Sequence, residues 1–271
     1  MAEDNKTTQA TEDVVNEETK PKFPTEIVDL PSKGYFYPSD NPLSSGQVEI
    51  KYMTAKEEDI LTSTNLIKKG IVLDKLLQSL IVSKIDFGSL LVGDKNALMV
   101  AARILGYGKD YKVEVNCPAC NAKNEDNIDL THLEHKELDW SSYEKGKNEF
   151  EFTLPASNRL IKYKLLNSND DRAIDAEIKS LKKFNKDVDS EITTRLKHVI
   201  TSIDGETDKG KIRKFVDEEF LSRDSLAFRN HLTAATADVD MNYYFSCAEC
   251  AHEKVMPIPM TVEFFWPAGV K

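Results

Sequence analysis

The chain has 271 residues, of which 40% are hydrophobic and 30% charged, with a formal net charge of −10. That length carries one large domain or two modest ones with ample core. The acidic balance opposes non-specific attraction to nucleic-acid phosphates and to anionic membranes, so neither is the expected partner class.

Residues 1–22 are acidic and nearly free of large apolar groups, and read as a disordered tail. They lack the basic start and apolar core of a secretory signal. The longest apolar stretch, 97–105, is interrupted by Arg103 and too short to span a bilayer. The expectation is a chain that stays in a reducing cytoplasm, where cysteines serve as metal ligands or redox groups rather than disulfides.

Residues 23–46 form a proline- and aromatic-rich arm with a Ser-Lys-Gly turn, extended and able to dock. The docking surface is either a partner or the chain's own core. Val48, Ile50 and Tyr52 alternate with polar residues as in a strand. Thr54-Ala-Lys-Glu57 is a capping box that opens a helix running to about residue 63. Leu73, Leu76, Leu77, Leu80 and Ile81 share one helical face, as do Ala97, Leu98, Ala101, Ile104 and Leu105, with Gly106 and Gly108 closing the second helix. Tyr111, Val113 and Val115 alternate straight into Cys117, whereas residues 121–127 are polar and turn-like. Residues 148–154 and 160–166 look like a hairpin.

Four helices follow in the spacing. Ile174, Ile178 and Leu181 mark the first, and Ile192, Leu196, Val199, Ile200 and Ile203 the second. Ile212, Phe215, Val216 and Phe220 mark the third, and Leu221, Phe228, Leu232 and Ala235 the fourth. Strands at 241–245 and 253–258 flank the last cysteine pair.

All four cysteines fall in two C-x-x-C pairs, Cys117-Pro-Ala-Cys120 and Cys247-Ala-Glu-Cys250. Such a turn lets two thiolates approach one tetrahedral ion, and two pairs with none left over fit a Cys₄ structural zinc site. Each pair follows a strand, as in the knuckles of a zinc ribbon, yet 126 residues separate Cys120 from Cys247. The expected fold is therefore α+β. A strand-plus-helical part at 47–110 precedes a zinc-ribbon-like β element, whose first knuckle and hairpin occupy 111–166. A helical insertion at 167–238 then leads to the second knuckle and terminal strands at 239–271.

Three other readings compete. A dithiol redox centre would want its first cysteine at a helix N-terminus. A finger built from Cys117, Cys120, His132 and His135 would strand the second pair, and four small buried residues without metal would need no chemistry at all. Asp86-Phe87-Gly88 spells a kinase motif without the loops that accompany it, and reads as a turn. No phosphate-binding loop, nucleophile elbow or H-E-x-x-H sequence occurs, so an enzyme is not indicated.

Four segments carry a resemblance. They are Leu30-Pro-Ser-Lys-Gly-Tyr-Phe-Tyr37, Thr54-Ala-Lys-Glu-Glu-Asp-Ile-Leu61, the helix from Asp94 through Arg103 to Gly106-Tyr-Gly108, and Cys117-Pro-Ala-Cys120. In this order they resemble the baseplate proteins of T-even-like contractile-tailed bacteriophages, over about residues 28–130. The resemblance implies a non-enzymatic role in the central hub of the tail baseplate, as hub subunit or hub assembly factor. It implies other baseplate or hub proteins as partners, and the host cytoplasm or virion tail as location. Pro31, Lys33, Gly34, Tyr35 and Tyr37 of the arm, with Arg103, are the candidate partner-binding residues. A zinc-ribbon nucleic-acid-binding regulator is the alternative, weakened by the acidic and amide groups around both knuckles.

Overall fold

In the computed structural model, which describes residues 24–184, 190–259 and 264–265, the arm begins with strand β1 (Thr25–Asp29). It pairs antiparallel with β2 (Gln47–Lys51), Val28 opposite Val48. The tail expected at 1–22 lies outside the described residues. Val48 and Ile50 turn inward, the inward half of a two-residue period. Between the strands the chain doubles back so tightly that Gly34 has φ +71°, and a Cβ there would sit 2.4 Å from the Ser44 carbonyl oxygen. The turn delivers Leu30, Phe36 and Tyr37 into the core, where Phe36 meets Tyr143 and Phe150 edge to face at 5.4 Å. The arm is thus an internal strap, part strand and part turn.

Three short helices follow: α1 (Ala55–Thr62), α2 (Thr64–Lys69) and α3 (Val72–Leu80). The carboxylate half of the expected capping box is formed, because Glu57 accepts the Thr54 amide at 3.0 Å and the Thr54 hydroxyl at 2.6 Å. Glu57 also receives Lys51 Nζ at 2.8 Å and Ser79 Oγ at 2.7 Å, joining β2, α1 and α3 through one fully buried side chain. Burial alone would raise this carboxyl, but the Lys51, Thr54 and Ser79 donors hold it down at about 2. The Asp86-Phe87-Gly88 sequence is a turn, with Asp86 accepting the Gly88 N–H at 2.9 Å.

Helix α4 (Val92–Tyr107) is the central rod of this first core. At its start the fully buried Asp94 accepts the Ser32 amide at 2.9 Å, the Ser32 hydroxyl at 2.7 Å and the Tyr37 hydroxyl at 2.5 Å. A carboxylate in the first turn also faces the positive end of the helix dipole. Burial pushes both Asp94 and Tyr37 upward in pKa; the neighbouring Asp94 carboxylate adds to the rise at Tyr37, whereas the Tyr37 and Ser32 donors oppose it at Asp94. Gly93 lets the rod approach the returning chain, since a Cβ there would lie 1.9 Å from the Ala237 carbonyl oxygen. The helix ends at Gly108, and strands β3 (Asp110–Asn116) and β4 (Lys123–Asp129) follow as an antiparallel ribbon. The turn-like reading of 121–127 is corrected here: most of that segment is strand. Its polar residues face water on a two-stranded ribbon, while Asn124 and Ile128 turn inward.

The second core forms around β5 (Phe150–Thr153), β6 (Leu160–Tyr163), α6 (Glu191–Val199) and β7 (Ile200–Ile203), with α5 (Ser168–Phe184) lying between α4 and α6. The helix expected to run through Ile203 stops at Val199. Ile200–Ile203 instead adds to β6, with Ile161 opposite Ile203 and Tyr163 opposite Ile200. The run Val199-Ile200-Thr201 is β-branched, and the open edge of β6 gives it a ladder to join. Helix α7 (Lys209–Lys214) passes into a wider turn over Phe215–Glu219, and α8 (Ser222–Ala235) completes the layer. Asp224, in the first turn of α8, is fully buried and accepts the Ala156 and Ser157 amides at 2.7 and 3.1 Å.

A last ribbon, β8 (Asn242–Ser246) with β9 (Glu253–Pro257), packs beside the first core. The two cores meet where Ser168 donates its amide to Leu90 at 2.8 Å, and where Lys95 Nζ bridges Asp74 at 3.3 Å and Asp171 at 3.1 Å. The architecture is α+β with small antiparallel sheets. Among the described residues no helix is long and apolar enough to cross a membrane.

Asp94→Ala would leave the Ser32 amide, the Ser32 hydroxyl and the Tyr37 hydroxyl without their acceptor. The expected loss is about 3 kcal/mol of unfolding free energy. Urea unfolding of the variant measures it, and a loss below about 1 kcal/mol would show that the latch is dispensable.

Candidate metal centre

Both C-x-x-C segments adopt the same local structure. Cys117 follows β3 and donates its amide to the Ala122 carbonyl at 2.8 Å, while the Asn121 amide returns to the Cys117 carbonyl at 2.8 Å. Cys247 follows β8 and donates to the His252 carbonyl at 2.9 Å, while the Ala251 amide returns to the Cys247 carbonyl at 3.0 Å. The residue after the second cysteine is left-handed in each case, Asn121 at φ 61° and Ala251 at φ 54°. Each knuckle turns the chain from one ribbon strand into the next, and the local bonds close the turn without help from the distant half.

The two ribbons lie tip to tip. Cys117 Sγ is 3.7 Å from Cys250 Sγ, Cys120 Sγ is 3.7 Å from Cys247 Sγ, and the four sulfurs all fall within 4.8 Å of one another. Cys117 and Cys247 are buried, whereas Cys120 and Cys250 reach the surface. A small apolar floor of Phe245 with Val115, Ala122, Tyr243 and Met256 supports the cluster. Four thiols in this arrangement can bind a metal ion.

Electrostatics sets Cys247 apart from Cys120 and Cys250. Amide N–H groups of Cys250 and Glu249 draw the Cys247 thiol down to about 6 despite its burial. The His252 amide acts likewise on Cys250, but the sulfurs of Cys120, Cys247 and Cys117 overcome it and carry that thiol up to about 12. Cys120 is raised as well, its contacts with the Ala122 amide and Cys250 outweighed by burial and the sulfurs of Cys117 and Cys247. Without a cation, one thiolate at this centre resists the next; a divalent ion removes that repulsion.

Sequence spacing pointed to all four cysteines, and the fold brings all four together. His132 and His135 do not join them. Strand β4 runs away from the knuckle, so the turn at Leu130–His132 lies about 20 Å along the ribbon from it. His135 instead bridges to Val239.

Among the candidate partner-binding residues, Pro31, Gly34 and Tyr37 are buried in the strap. Arg103 is 2% exposed and donates to the carbonyls of Gly108 at 2.6 Å and Asp110 at 3.0 Å, bracing the reversal from α4 into β3. Lys33 is exposed, with its ammonium 5.3 Å from the Trp140 ring, and Tyr35 is half-buried, donating to the Tyr143 carbonyl at 3.2 Å. One residue at the centre was not singled out from sequence. Asn124 is buried between the knuckles, its amide 3.6 Å from Cys247 Sγ and its oxygen accepting the Ala248 amide at 2.9 Å. The available signal was an asparagine in an outward-reading polar segment, seven residues after Cys117.

The family model described as T4 bacteriophage base plate protein matches residues 25–266. No curated protein and no solved structure matches the chain.

Ala251 holds a left-handed conformation without glycine's freedom, at a cost of about 1 kcal/mol. Ala251→Gly is expected to raise the thermal midpoint by a few degrees, read by scanning calorimetry. A lower midpoint would mean that the methyl group contributes more than the strain removes.

Proposed function

The chain belongs to the T4 bacteriophage base plate protein family, and from that membership we propose a non-enzymatic tail baseplate protein, a hub subunit or hub assembly factor, braced by one structural zinc ion. The family match, spanning 25–266, carries the baseplate reading. The sulfur cluster supports the zinc. An ion with Zn–S bonds of about 2.3 Å at a tetrahedral centre sets sulfurs about 3.8 Å apart. The cross-knuckle contacts of 3.7 Å fit that spacing. Cys117, Cys120, Cys247 and Cys250 would hold the ion, which would cross-link the two ribbons as a zinc ribbon does. It would supply a rigid joint and no reaction.

Work by association fits what the residues do. The buried carboxylates at 57, 94 and 224 are each engaged by donors from other segments. Partners would be other baseplate or hub proteins, met in the host cytoplasm during assembly. Within the arm, Lys33 and the outer edge of Tyr35 remain as partner-facing groups. The enclosed Pro31, Gly34, Tyr37 and Arg103 would act through the shape of the strap.

Protein purified without chelator is expected to carry about one zinc per chain by elemental mass spectrometry, and Cys117→Ser or Cys247→Ser much less. Each ligand must release its proton, so zinc retained against a fixed chelator concentration should fall as pH drops from about 8 to about 5. A wild-type chain free of zinc, or retention independent of pH, would remove the ion.

A phage lacking this chain should make heads and DNA but no finished baseplates, as seen by electron microscopy of infected-cell lysates. Mass spectrometry of purified virions separates the two roles, since a hub subunit is retained and an assembly factor is not. Normal baseplates, or a block in late transcription, would overturn the assembly role.

A further inference from the structure

The two knuckles match in backbone but not in what surrounds their sulfurs. Seven residues beyond the first cysteine, one ribbon carries Asn124, 6% exposed, and the other carries Lys254, which faces solvent. Asn124 sits on β4 opposite Val115, at a position where its neighbours Lys123 and Glu125 point outward. Its Nδ2 donates to the Ala122 carbonyl at 2.9 Å, the same carbonyl that receives the Cys117 amide, and reaches Cys247 Sγ at 3.6 Å. Its Oδ1 accepts the Ala248 amide at 2.9 Å. A carboxamide offers two donor hydrogens and one acceptor oxygen. Here both ends are engaged, one on its own knuckle and both across the gap on the other.

Building on the ion-binding reading above, we propose that Asn124 is a positioning residue of the sulfur site, tying the second knuckle to the first through Ala248 and supporting Cys247 as a thiolate ligand. Its two tasks are chemically separable. The contact with Ala248 needs only an oxygen acceptor, which aligns the knuckles before any ion arrives. The contact with Cys247 needs an N–H donor, which offsets negative charge on the sulfur and orients it towards the centre. Among the described residues, Asn124 is the non-cysteine side chain that donates to these sulfurs. Aspartate at this position would keep the acceptor for Ala248, but it would lose the donor to the Ala122 carbonyl and set a second negative group against the thiolate. Alanine would remove both contacts.

Cobalt(II), which reports thiolate coordination through sulfur-to-metal charge-transfer absorption, is the probe. The metal-free full-length chain, Asn124→Asp and Asn124→Ala are titrated with it against a competing chelator, and thermal unfolding of each is followed without metal. Outer contacts of this kind change metal affinity by about 10- to 100-fold. The expected result is a loss of about tenfold or more in cobalt affinity for both variants, with the charge-transfer band shifted to longer wavelength. The metal-free midpoint should fall for both variants, since Asn124→Ala loses the Ala248 contact and Asn124→Asp loses the Ala122 contact and buries a charge. If wild type shows the thiolate band and both variants match it in affinity and wavelength, the role of Asn124 is overturned, whatever happens to the midpoints. If wild type itself shows no thiolate band, the ion-binding reading fails and takes this proposal with it.

Discussion

The meeting of two cysteine pairs across a 126-residue interval is the constraint around which the rest is arranged. Closing so long a loop costs on the order of 4 kcal/mol in chain entropy, but the knuckles do not have to meet that cost alone. The returning chain is fixed before it reaches Cys247. Asn96 on α4 donates to Asp238 at 3.0 Å, the Lys136 amide reaches the Asp238 carbonyl at 2.9 Å, and the Asp240 amide reaches the Glu134 carbonyl at 2.7 Å. Tyr243 then donates to Asp126 at 3.2 Å along the ribbon. The segment around 134–136 is thus stitched to that around 238–240, and from there both ribbons run outward to their tips. By the time the sulfurs meet, the interval left to close is a few residues on each side. The cluster completes a path of contacts that begins at α4.

That order explains the close approach at Gly93. The Ala237 carbonyl comes so near the helix that a methyl group there would collide with it. Any bulk at that position would displace the stitch at Asp238 and swing the second knuckle away from the first. The second core is folded into the interval and joins the first at Ser168, at Lys95 and through Phe150, which packs against Phe36. The stitch that aligns the two ribbons, at 134–136 and 238–240, is made with the first core, while the insertion has an apolar cluster of its own.

Features written in short stretches of sequence were readable directly. The capping box at Thr54 and Glu57, the amphipathic faces of α3 and α4, and both C-x-x-C turns depend on residues a few positions apart. The meeting of the two pairs was readable because four thiols at two turns leave few other uses. What depended on partners was not. Strand β4 has little hydrophobic content beyond Ile128, and is a strand because β3 offers it a ladder. Ile200–Ile203 carried helical spacing and strand composition at once, and the free edge of β6 decided between them. Arg103 stood out as a charge on an apolar helix, but its two carbonyl acceptors lie in the reversal that follows, whose geometry no spacing rule encodes. Asn124 was the hardest to see, because its inward direction follows from the register of a strand that was itself unrecognised.

The buried polar groups share a further property. Asp94 joins the strap to α4, Glu57 joins α1 to α3, Asp224 joins the hairpin turn to α8, and Asn124 joins one knuckle to the other. Each sits where two segments distant in sequence must meet in one register. Apolar burial is non-directional and does not by itself single out one register. A buried carboxylate displaced from its donors keeps the full cost of its desolvation. Placing such groups at the joins penalises near-miss packings more than it stabilises the correct one, and so narrows the chain to a single shape. The sulfur cluster extends the same logic to the ribbon tips, where too little apolar surface is available to fix the geometry by packing alone.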